Sequence, residues 1–282
     1  GQFWNPLFVT GCFPGTVSFN TGTPLQSFAR NPQLRFTYKT GGLSFIAAAL
    51  SQRDYTNVGE AGGSSSYLRN SSTPDMHLQV HYGTSNEGGT NILAGAGAAY
   101  KTIVPRLTST PGVFTYAVDE KVGGLTAVAF AKLTAKPITA KFQVRYGENI
   151  SDLLAISGYG VTGVSDPATG ERSYTPLKSM TFWGEVHSNG NPQVGIFGGF
   201  TQNNGSKEQI TGAVFGRATT IRSLYRVAPR VIYNAGKVRV AMELEYTNAA
   251  YGSFHDVNYI PAETTNAGNL RVLAAIYHFF GN

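Results

Sequence analysis

The chain has 282 residues, of which 41% are hydrophobic, 13% charged and 12% aromatic, with 34 glycines and a formal net charge of +6. Charged residues are about half as frequent as in an ordinary soluble domain, and aromatic residues are too common for a disordered chain. Poor helix formers such as glycine disfavour a helical bundle, and no run of 18 apolar residues is present to form a membrane-spanning helix. These observations leave a large β protein.

Cysteine and cation patterns exclude further classes of protein. Cys12 is the single cysteine, so an intramolecular disulfide is excluded, and no Cys/His pattern predicts a structural metal site. The 22 lysines and arginines are dispersed, whereas a nucleic-acid-binding segment usually carries them in a block. The sequence therefore predicts no cofactor, no metal and no nucleic-acid partner.

Strict alternation of apolar and polar residues predicts half-buried strands. In chain order, it is clear at 33–39, 76–82, 138–146, 221–233 and 237–246. Three segments rich in alanine and glycine are also predicted as strands, although their facing is ambiguous: 92–100, 125–133 and 194–200.

Turns and loops alternate along the whole chain. Asn, Gly and Pro predict tight hairpin turns at 40–42, 85–89, 136–137, 189–192 and 234–236. Between them lie long polar segments at 10–32, 51–74, 104–120, 149–177, 202–219 and 248–268. This alternation predicts about twelve up-and-down strands, each of roughly 9–12 residues, which is enough to cross a bilayer at a tilt.

A closed barrel explains this pattern because closure removes unpaired sheet edges and lets each apolar stripe face lipid. Short turns at one end and long loops at the other are typical of outer-membrane barrels. A soluble β-sandwich also has alternating strands, but its loops are not sorted by length to one end. The sequence therefore predicts one antiparallel transmembrane β-barrel domain over residues 1–282, in the bacterial outer membrane, with short periplasmic turns and long extracellular loops.

The end of the chain carries a further pattern. Residues 277–280, Tyr-His-Phe-Phe, resemble the C-terminal aromatic signal of bacterial outer-membrane barrels, which the assembly machinery reads. This resemblance predicts Phe280 as the assembly signal, although Gly281 and Asn282 follow it.

The beginning of the chain gives a narrower resemblance. Residues 1–8, 14–20 and 29–38 resemble the G-Q-x-W-x-x-F strand end, the P-x-T-x-x-F loop and the R-x-P-Q-x-R-x-T strand of the DcaP-like porin family, in a Bacteroidetes-type version. The resemblance implies a homotrimer of sixteen-stranded barrels. It also implies that about four N-terminal strands precede the present chain, although twelve strands could also close on their own.

The polar faces of the clear strands predict the lining of a pore. If the apolar faces point to lipid, nine basic and three acidic residues point inward: Arg35, Lys39, Lys141, Arg145, Arg222, Arg226, Arg230, Arg239, Arg271, Glu185, Glu243 and Glu245. Such an excess predicts anion preference; the alternative is a wide, non-selective pore in which salt screens the charges. Arg222, Arg226 and Arg230 are expected to form a water-facing ladder. Loop 10–32 is too apolar for a freely solvated loop, so it is the candidate constriction of the pore.

Two functions from different classes are compatible with these patterns. The first is a porin, a passive diffusion channel for small anionic or polar solutes in a lipid bilayer. The second is a non-transporting surface barrel, an adhesin or structural anchor, that binds partners through its long loops. Glu243 and Glu245 share a face, as paired glycosidase carboxylates do, but nearby arginines favour salt bridges. No catalytic motif is found, so the chain is expected not to be an enzyme.

Overall fold

The structure is a computed structural model, and it describes residues 1–86 and 89–280. Its strands are β1 Gln2–Trp4, β2 Arg30–Thr40, β3 Leu43–Leu50, β4 Val58–Gly59, β5 Gly62–Gly63, β6 Asp75–Ser85, β7 Asn91–Ile103, β8 Thr108–Ser109, β9 Tyr116–Ala117, β10 Val122–Thr134, β11 Ile138–Glu148, β12 Ser157–Asp166, β13 Glu171–Ser188, β14 Gln193–Ser206, β15 Val214–Arg217, β16 Ile221–Ala235, β17 Val238–His255 and β18 Pro261–His278. The helical elements are α1, Ser66–Arg69, and two 3₁₀ turns, Phe19–Gly22 and Ser151–Leu153. Within the described residues, no helix is both long and apolar enough to cross a membrane.

One antiparallel sheet organises the chain. Twelve strands follow each other in the order β1-β2-β3-β6-β7-β10-β11-β13-β14-β16-β17-β18, and every neighbouring pair is antiparallel. The hairpin β12–β13 extends the sheet at one end, where β12 also pairs with β15. The all-β, antiparallel fold class predicted from the sequence is confirmed. The main path has twelve strands, close to the predicted number, and β12 and β15 bring the sheet to fourteen.

Short connections lie at one end of the sheet and long connections at the other. Residues 41–42, 135–137, 189–192 and 236–237 form tight turns, whereas 5–29, 51–74 and 104–121 are long connections at the opposite end. The predicted turn 85–89 includes residues 87 and 88, which lie outside the described residues, as do Gly281 and Asn282 after the predicted assembly signal.

Several predicted loop boundaries are wrong. The segment 248–268 is not a loop, because β17 and β18 run through it and are joined by residues 256–260. In the same way, 157–166 and 171–177 form a hairpin inside the predicted loop 149–177. The candidate constriction spans 5–29 instead of 10–32, because residues 30–32 pair with β1.

The two faces of the sheet differ in exposure. One face is apolar and exposed, with Val240 at 44% and Leu244 at 42%. Exposed tyrosines lie at two levels on this face, near the tight turns and further towards the long connections: Tyr38, Tyr82 and Tyr233 at the first level, and Tyr100, Tyr225 and Tyr246 at the second. Tyr225 and Tyr233 lie eight residues apart on β16, which corresponds to roughly 26 Å at about 3.3 Å per residue.

The other face, which we call the inner face, is covered by residues 5–29, which we call the inner segment. Val9, Cys12 and Leu25 of this segment pack with Trp183 and Phe197 of the sheet. Ile221 also joins this core, although alternation predicts it on the apolar exposed face. A register shift between Ile221 and Ser223 reverses its direction.

Candidate functional site

A buried carboxylate attaches the inner segment to the sheet. Glu185 on β13 accepts hydrogen bonds from the backbone N–H of Gly15, from Nη2 of Arg230 at 2.9 Å and from Nζ of Lys141 at 3.1 Å. A Cβ atom at Gly15 would lie 3.0 Å from Oε1 of Glu185 and 3.2 Å from Nη2 of Arg230. Glycine at this position therefore allows the backbone to approach the ion pair.

A second buried carboxylate holds the next part of the inner segment. Glu243 on β17 accepts from the backbone N–H of Val17 at 2.7 Å and from the hydroxyl of Thr21. Backbone N–H groups that are not part of the sheet are thereby satisfied inside the molecule. Glu185 and Glu243 thus bind the same segment at two places.

Arginines bind the carbonyl groups of the same segment. Nη1 of Arg226 donates to the carbonyl oxygens of Asn20, Thr21 and Thr23, while Nε lies 3.3 Å from Oε1 of Glu245. Glu245 also pairs with Arg271. Carbonyl oxygens and carboxylates therefore take up the hydrogen-bonding capacity of these guanidinium groups.

Arg145 is held without a carboxylate. It is 2% exposed and donates to the hydroxyl of Ser27 at 2.7 Å, the carbonyl of Pro24 at 3.2 Å and the hydroxyl of Thr181 at 3.1 Å. Two of these three acceptors belong to the inner segment. Arg145 is therefore part of the attachment of the inner segment.

The expectation of a water-facing arginine ladder is wrong. Arg226 and Arg230 are 9% and 4% exposed, because the inner segment lies over them. Arg222 is only half-buried, and its Nη1 donates to the carbonyl of Asn203 at 3.0 Å. The strand places Arg226 and Arg230 on its inner face, where Arg226 binds the inner segment and Arg230 binds Glu185. Arg222 lies at the register shift between Ile221 and Ser223.

The remaining predicted cations lie elsewhere on the inner face. Arg239 donates to Oδ1 of Asn234 at 2.8 Å and lies over the ring of Phe279. Arg35 donates to Oε1 of Gln33 and to the carbonyl of Trp4, both at 3.0 Å. In the described part of the chain, no carboxylate lies within 4 Å of the charged atoms of Arg35 or Lys39.

Arg35 and Lys39 line a cavity of about 310 Å³ between the inner segment and strands β2, β3, β6 and β7. Its polar lining comes from aligned positions of neighbouring strands. Lys39 pairs with Ser44, and Ser44 pairs with His81. Two residues further along each strand, and so on the same face, Thr37 and Gln79 both pair with Ile46. This region combines positive charge, hydroxyl groups and open space.

Phe280, the predicted assembly signal, follows β18 and is 89% exposed. Its ring contacts that of His278 at a centroid distance of 4.4 Å. The role of Phe280 in assembly stays a prediction.

Sequence reasoning missed several inner-face residues. Lys132 on β10 faces inward between Leu93 and Lys141, and Thr37, Ser44 and Gln79 line the cavity. A lysine within the apolar strand 125–133 was a usable signal, because alternation with Ala127, Ala129 and Ala131 places it opposite the alanines.

Comparisons with known proteins give fold-level likeness. No family model and no curated protein sequence matches the chain. A solved structure titled "OmpT (in-vitro folded), an outer membrane protein of Vibrio cholerae" shares 13% sequence identity, with a TM-score of 0.49 over 99% of this chain and 75% of that chain. A second structure, outer-membrane expressed OmpT of Vibrio cholerae, shares 12% identity, with a TM-score of 0.48 over 99% and 76% of the two chains.

Both titles name outer-membrane proteins, and at 12–13% identity the likeness concerns the fold alone. They do not support the DcaP-like family in particular. The expectation that the chain is not an enzyme is withdrawn. It rested on missing catalytic motifs, and the likeness to two proteins named OmpT gives no ground for excluding catalysis.

Proposed function

We propose that this protein is an outer-membrane porin, a passive diffusion channel for small polar solutes that prefers anions. The exposed face supports a lipid environment. It presents apolar side chains along each strand, with tyrosines at two levels that on β16 lie roughly 26 Å apart. Transmembrane barrels carry an apolar band about 25 Å tall between two aromatic girdles, and their strands are tilted.

The cavity beside Arg35 and Lys39 is the observation that carries the anion preference. On the opposite side of the inner face, Lys141, Arg226, Arg230 and Arg271 are paired with Glu185, Glu243 and Glu245, which neutralise most of the charge of these four cations. Arg35 and Lys39 have no such partners in the described chain, and they lie beside open space. A cation entering this space meets a Coulomb penalty that an anion does not.

The inner segment supplies the constriction in this proposal. It covers the inner face and is bound there by two buried carboxylates and two arginines. A fixed segment narrows the path, and a narrow path keeps solutes within the roughly 8 Å over which charges act in physiological salt.

Reconstitution in a planar lipid bilayer tests the function. We expect stepwise conductance and, in a salt gradient, a zero-current potential that shows anion preference. A silent bilayer from protein that is folded in detergent would contradict the porin and favour a non-transporting surface barrel. Conductance with cation preference would leave the porin standing and contradict the role of Arg35 and Lys39.

We also propose a homotrimer. Six alanines form a flat patch on the exposed face of β7 and β10, where Ala94, Ala96 and Ala98 pair with Ala131, Ala129 and Ala127. Small side chains allow two walls to approach closely, as they do between membrane helices. We expect a trimeric mass in mild detergent and a monomeric mass for Ala96→Trp, whereas Val231→Trp on the same face should stay trimeric. A monomeric wild-type mass would contradict the trimer.

A further inference from the structure

We propose that the cavity between the inner segment and strands β2, β3, β6 and β7 is a binding site for sugar acids, that is, sugar rings carrying one carboxylate. The inference rests on the proposed channel function and names the class of solute. Its volume of about 310 Å³ falls at the lower end of the range of small-molecule sites, about 300–1,000 Å³. This size suits a single ring better than a polymer.

The charge of the cavity requires an anion. Arg35 and Lys39 point into it from β2, and within the described residues neither has a carboxylate partner. Arg35 is held by the carbonyl of Trp4 and the amide of Gln33, so its guanidinium is fixed while its charge is uncompensated. A ligand carboxylate would supply the missing charge through charge-assisted hydrogen bonds.

The hydrogen-bonding groups of the cavity require more than a bare anion. Gln79 lines the cavity and is 3% exposed, and its Oε1 lies 2.9 Å from Nε2 of His81. Thr37, Ser44 and His81 place hydroxyl groups and a ring nitrogen on the same wall, and these donors and acceptors suit a ring with several hydroxyl groups.

Glycines on β7 make room for this arrangement. A Cβ atom at Gly97 would lie 2.3 Å from Cγ of Gln79, and one at Gly95 would lie 2.7 Å from Cζ of Phe130. The ring of Phe130 in turn contacts His81 edge-on, with centroids 4.8 Å apart. Gln79 and His81 are therefore positioned by packing, and Oε1 of Gln79 lies 2.9 Å from Nε2 of His81.

The opposite side of the cavity is apolar. Trp4 at the end of β1 and Phe8 of the inner segment line it together with Pro6, and the rings of Trp4 and Phe8 are stacked with centroids 4.7 Å apart. A pyranose ring has an apolar face of C–H groups and a rim of hydroxyls, and it matches a cavity that is apolar on one side and polar on the other. An aromatic carboxylate would leave the polar groups unsatisfied.

Calorimetry on the whole chain in detergent tests the site, with D-glucuronate as the probe. We expect saturable binding with a Kd in the millimolar range, weak enough for a channel solute to leave. D-glucose, which lacks the charge, and benzoate, which lacks the hydroxyls, should each bind about ten-fold more weakly, the effect of losing about 1.4 kcal/mol. Equal binding of either compound would overturn the assignment.

Variants locate the binding. Arg35→Gln and Lys39→Gln should each raise the Kd about ten-fold, and Ser44→Phe, which fills the cavity without changing charge, should abolish binding. Arg239→Gln is the matched control, because it removes an inner-face cation outside the cavity and should leave the Kd unchanged. If Arg239→Gln weakens binding as much as Arg35→Gln, the anion is held by general charge and the site is wrong.

Conductance separates this inference from the proposed function. Glucuronate should block single-channel current in the wild type and not in Ser44→Phe. Open channels that bind no glucuronate would overturn the sugar-acid site and leave the porin intact. Binding by a protein that never conducts would uphold the site and contradict the porin.

Discussion

The two sides of the inner face carry similar residues and use them differently. On strands β11 to β18, the cations Lys141, Arg226, Arg230 and Arg271 are paired with glutamates, and all of them except Arg230 also bind the inner segment. On β2, Arg35 and Lys39 have no carboxylate partner among the described residues and line a cavity. In the proposed channel, a cation on the inner face is therefore expected to act on solutes only where no carboxylate neutralises it and open space adjoins it.

The same difference separates stability from selectivity. Removing one partner of a buried ion pair leaves the other charge uncompensated and is costly. Removing a cation beside water changes the field in the path and costs less stability. Substitutions among the paired cations should therefore lower stability more than they change selectivity. Substitutions beside the cavity should change selectivity more than they lower stability.

The largest effect is expected from Glu185→Gln. This change leaves Arg230 and Lys141 without their shared carboxylate and removes the acceptor of the Gly15 N–H. We expect the free energy of unfolding to fall by about 3–5 kcal/mol, measured by denaturant titration in detergent. Glu60→Gln is the control, because Glu60 is 47% exposed in its pair with Arg172, and such pairs contribute about 0–1 kcal/mol. Equal losses in both variants would contradict the attachment role of Glu185.

Arg226→Gln should loosen the inner segment and expose Cys12. The variant loses three carbonyl contacts and Glu245, and a hydrogen bond to a charged group contributes about 1.5–3 kcal/mol. Cys12 is fully buried in the connection between β1 and β2, and burial raises its pKa to about 11. At pH 8 the wild-type thiol is therefore protonated and inaccessible, whereas a released thiol returns towards a pKa of about 8.5 and reacts.

Maleimide labelling of the single cysteine measures this release. We expect at least about a ten-fold faster reaction in Arg226→Gln, since labelling follows the population of the opened segment. Lys39→Gln should label at the wild-type rate. Fast labelling of the wild type would show that the inner segment is not held against the sheet.

The strands were predictable from the sequence and the attachment of the inner segment was not. Alternation at 237–246 gave the facing of β17 correctly, because one face is exposed and apolar while the other is covered. Beyond Tyr246 the strand continues as Thr-Asn-Ala-Ala-Tyr-Gly, where neither face is consistently apolar. Pairing with β18 holds this part extended, and that pairing has no local sequence signal.

Long-range contacts explain the wrong interpretation of the arginine ladder. Alternation predicted which residues lie on the inner face, and counting their charges predicted an excess of positive charge. It contained no signal that Gly15 meets Glu185 or that Thr21 meets Glu243, because those contacts join residues 170 and 222 positions apart. The pattern of charges along a strand therefore predicts which of its faces points inward. The long-range contacts of that face determine which of the charges remain unpaired.

Arg35→Gln combined with Lys39→Gln should change selectivity and cost less stability than Glu185→Gln. We expect the zero-current potential in a salt gradient to shift towards cation preference, because the two uncompensated cations beside the cavity are removed. The free energy of unfolding should fall by about 1–3 kcal/mol, because Arg35 loses its hydrogen bonds to Gln33 and to the carbonyl of Trp4. Lys207→Gln, on an exposed connection, should leave the potential unchanged. An unchanged potential in the double variant would place the conducting path elsewhere.

The smallest effect is expected from Arg222→Gln. This variant separates the two conditions proposed for the action of Arg35 on a solute, which are the absence of a carboxylate partner and a position beside the cavity. Like Arg35, Arg222 has no carboxylate within 4 Å among the described residues, but it does not line the cavity and donates to the carbonyl of Asn203. Losing this hydrogen bond should cost about 0.5–1.5 kcal/mol, and the zero-current potential should shift by less than half as much as in Arg35→Gln. If the two single variants shift the potential equally, the absence of a carboxylate is sufficient and the cavity has no part in selectivity. If Arg222→Gln leaves the potential unchanged while Arg35→Gln moves it, position beside the cavity decides which inner-face cations act on the solute.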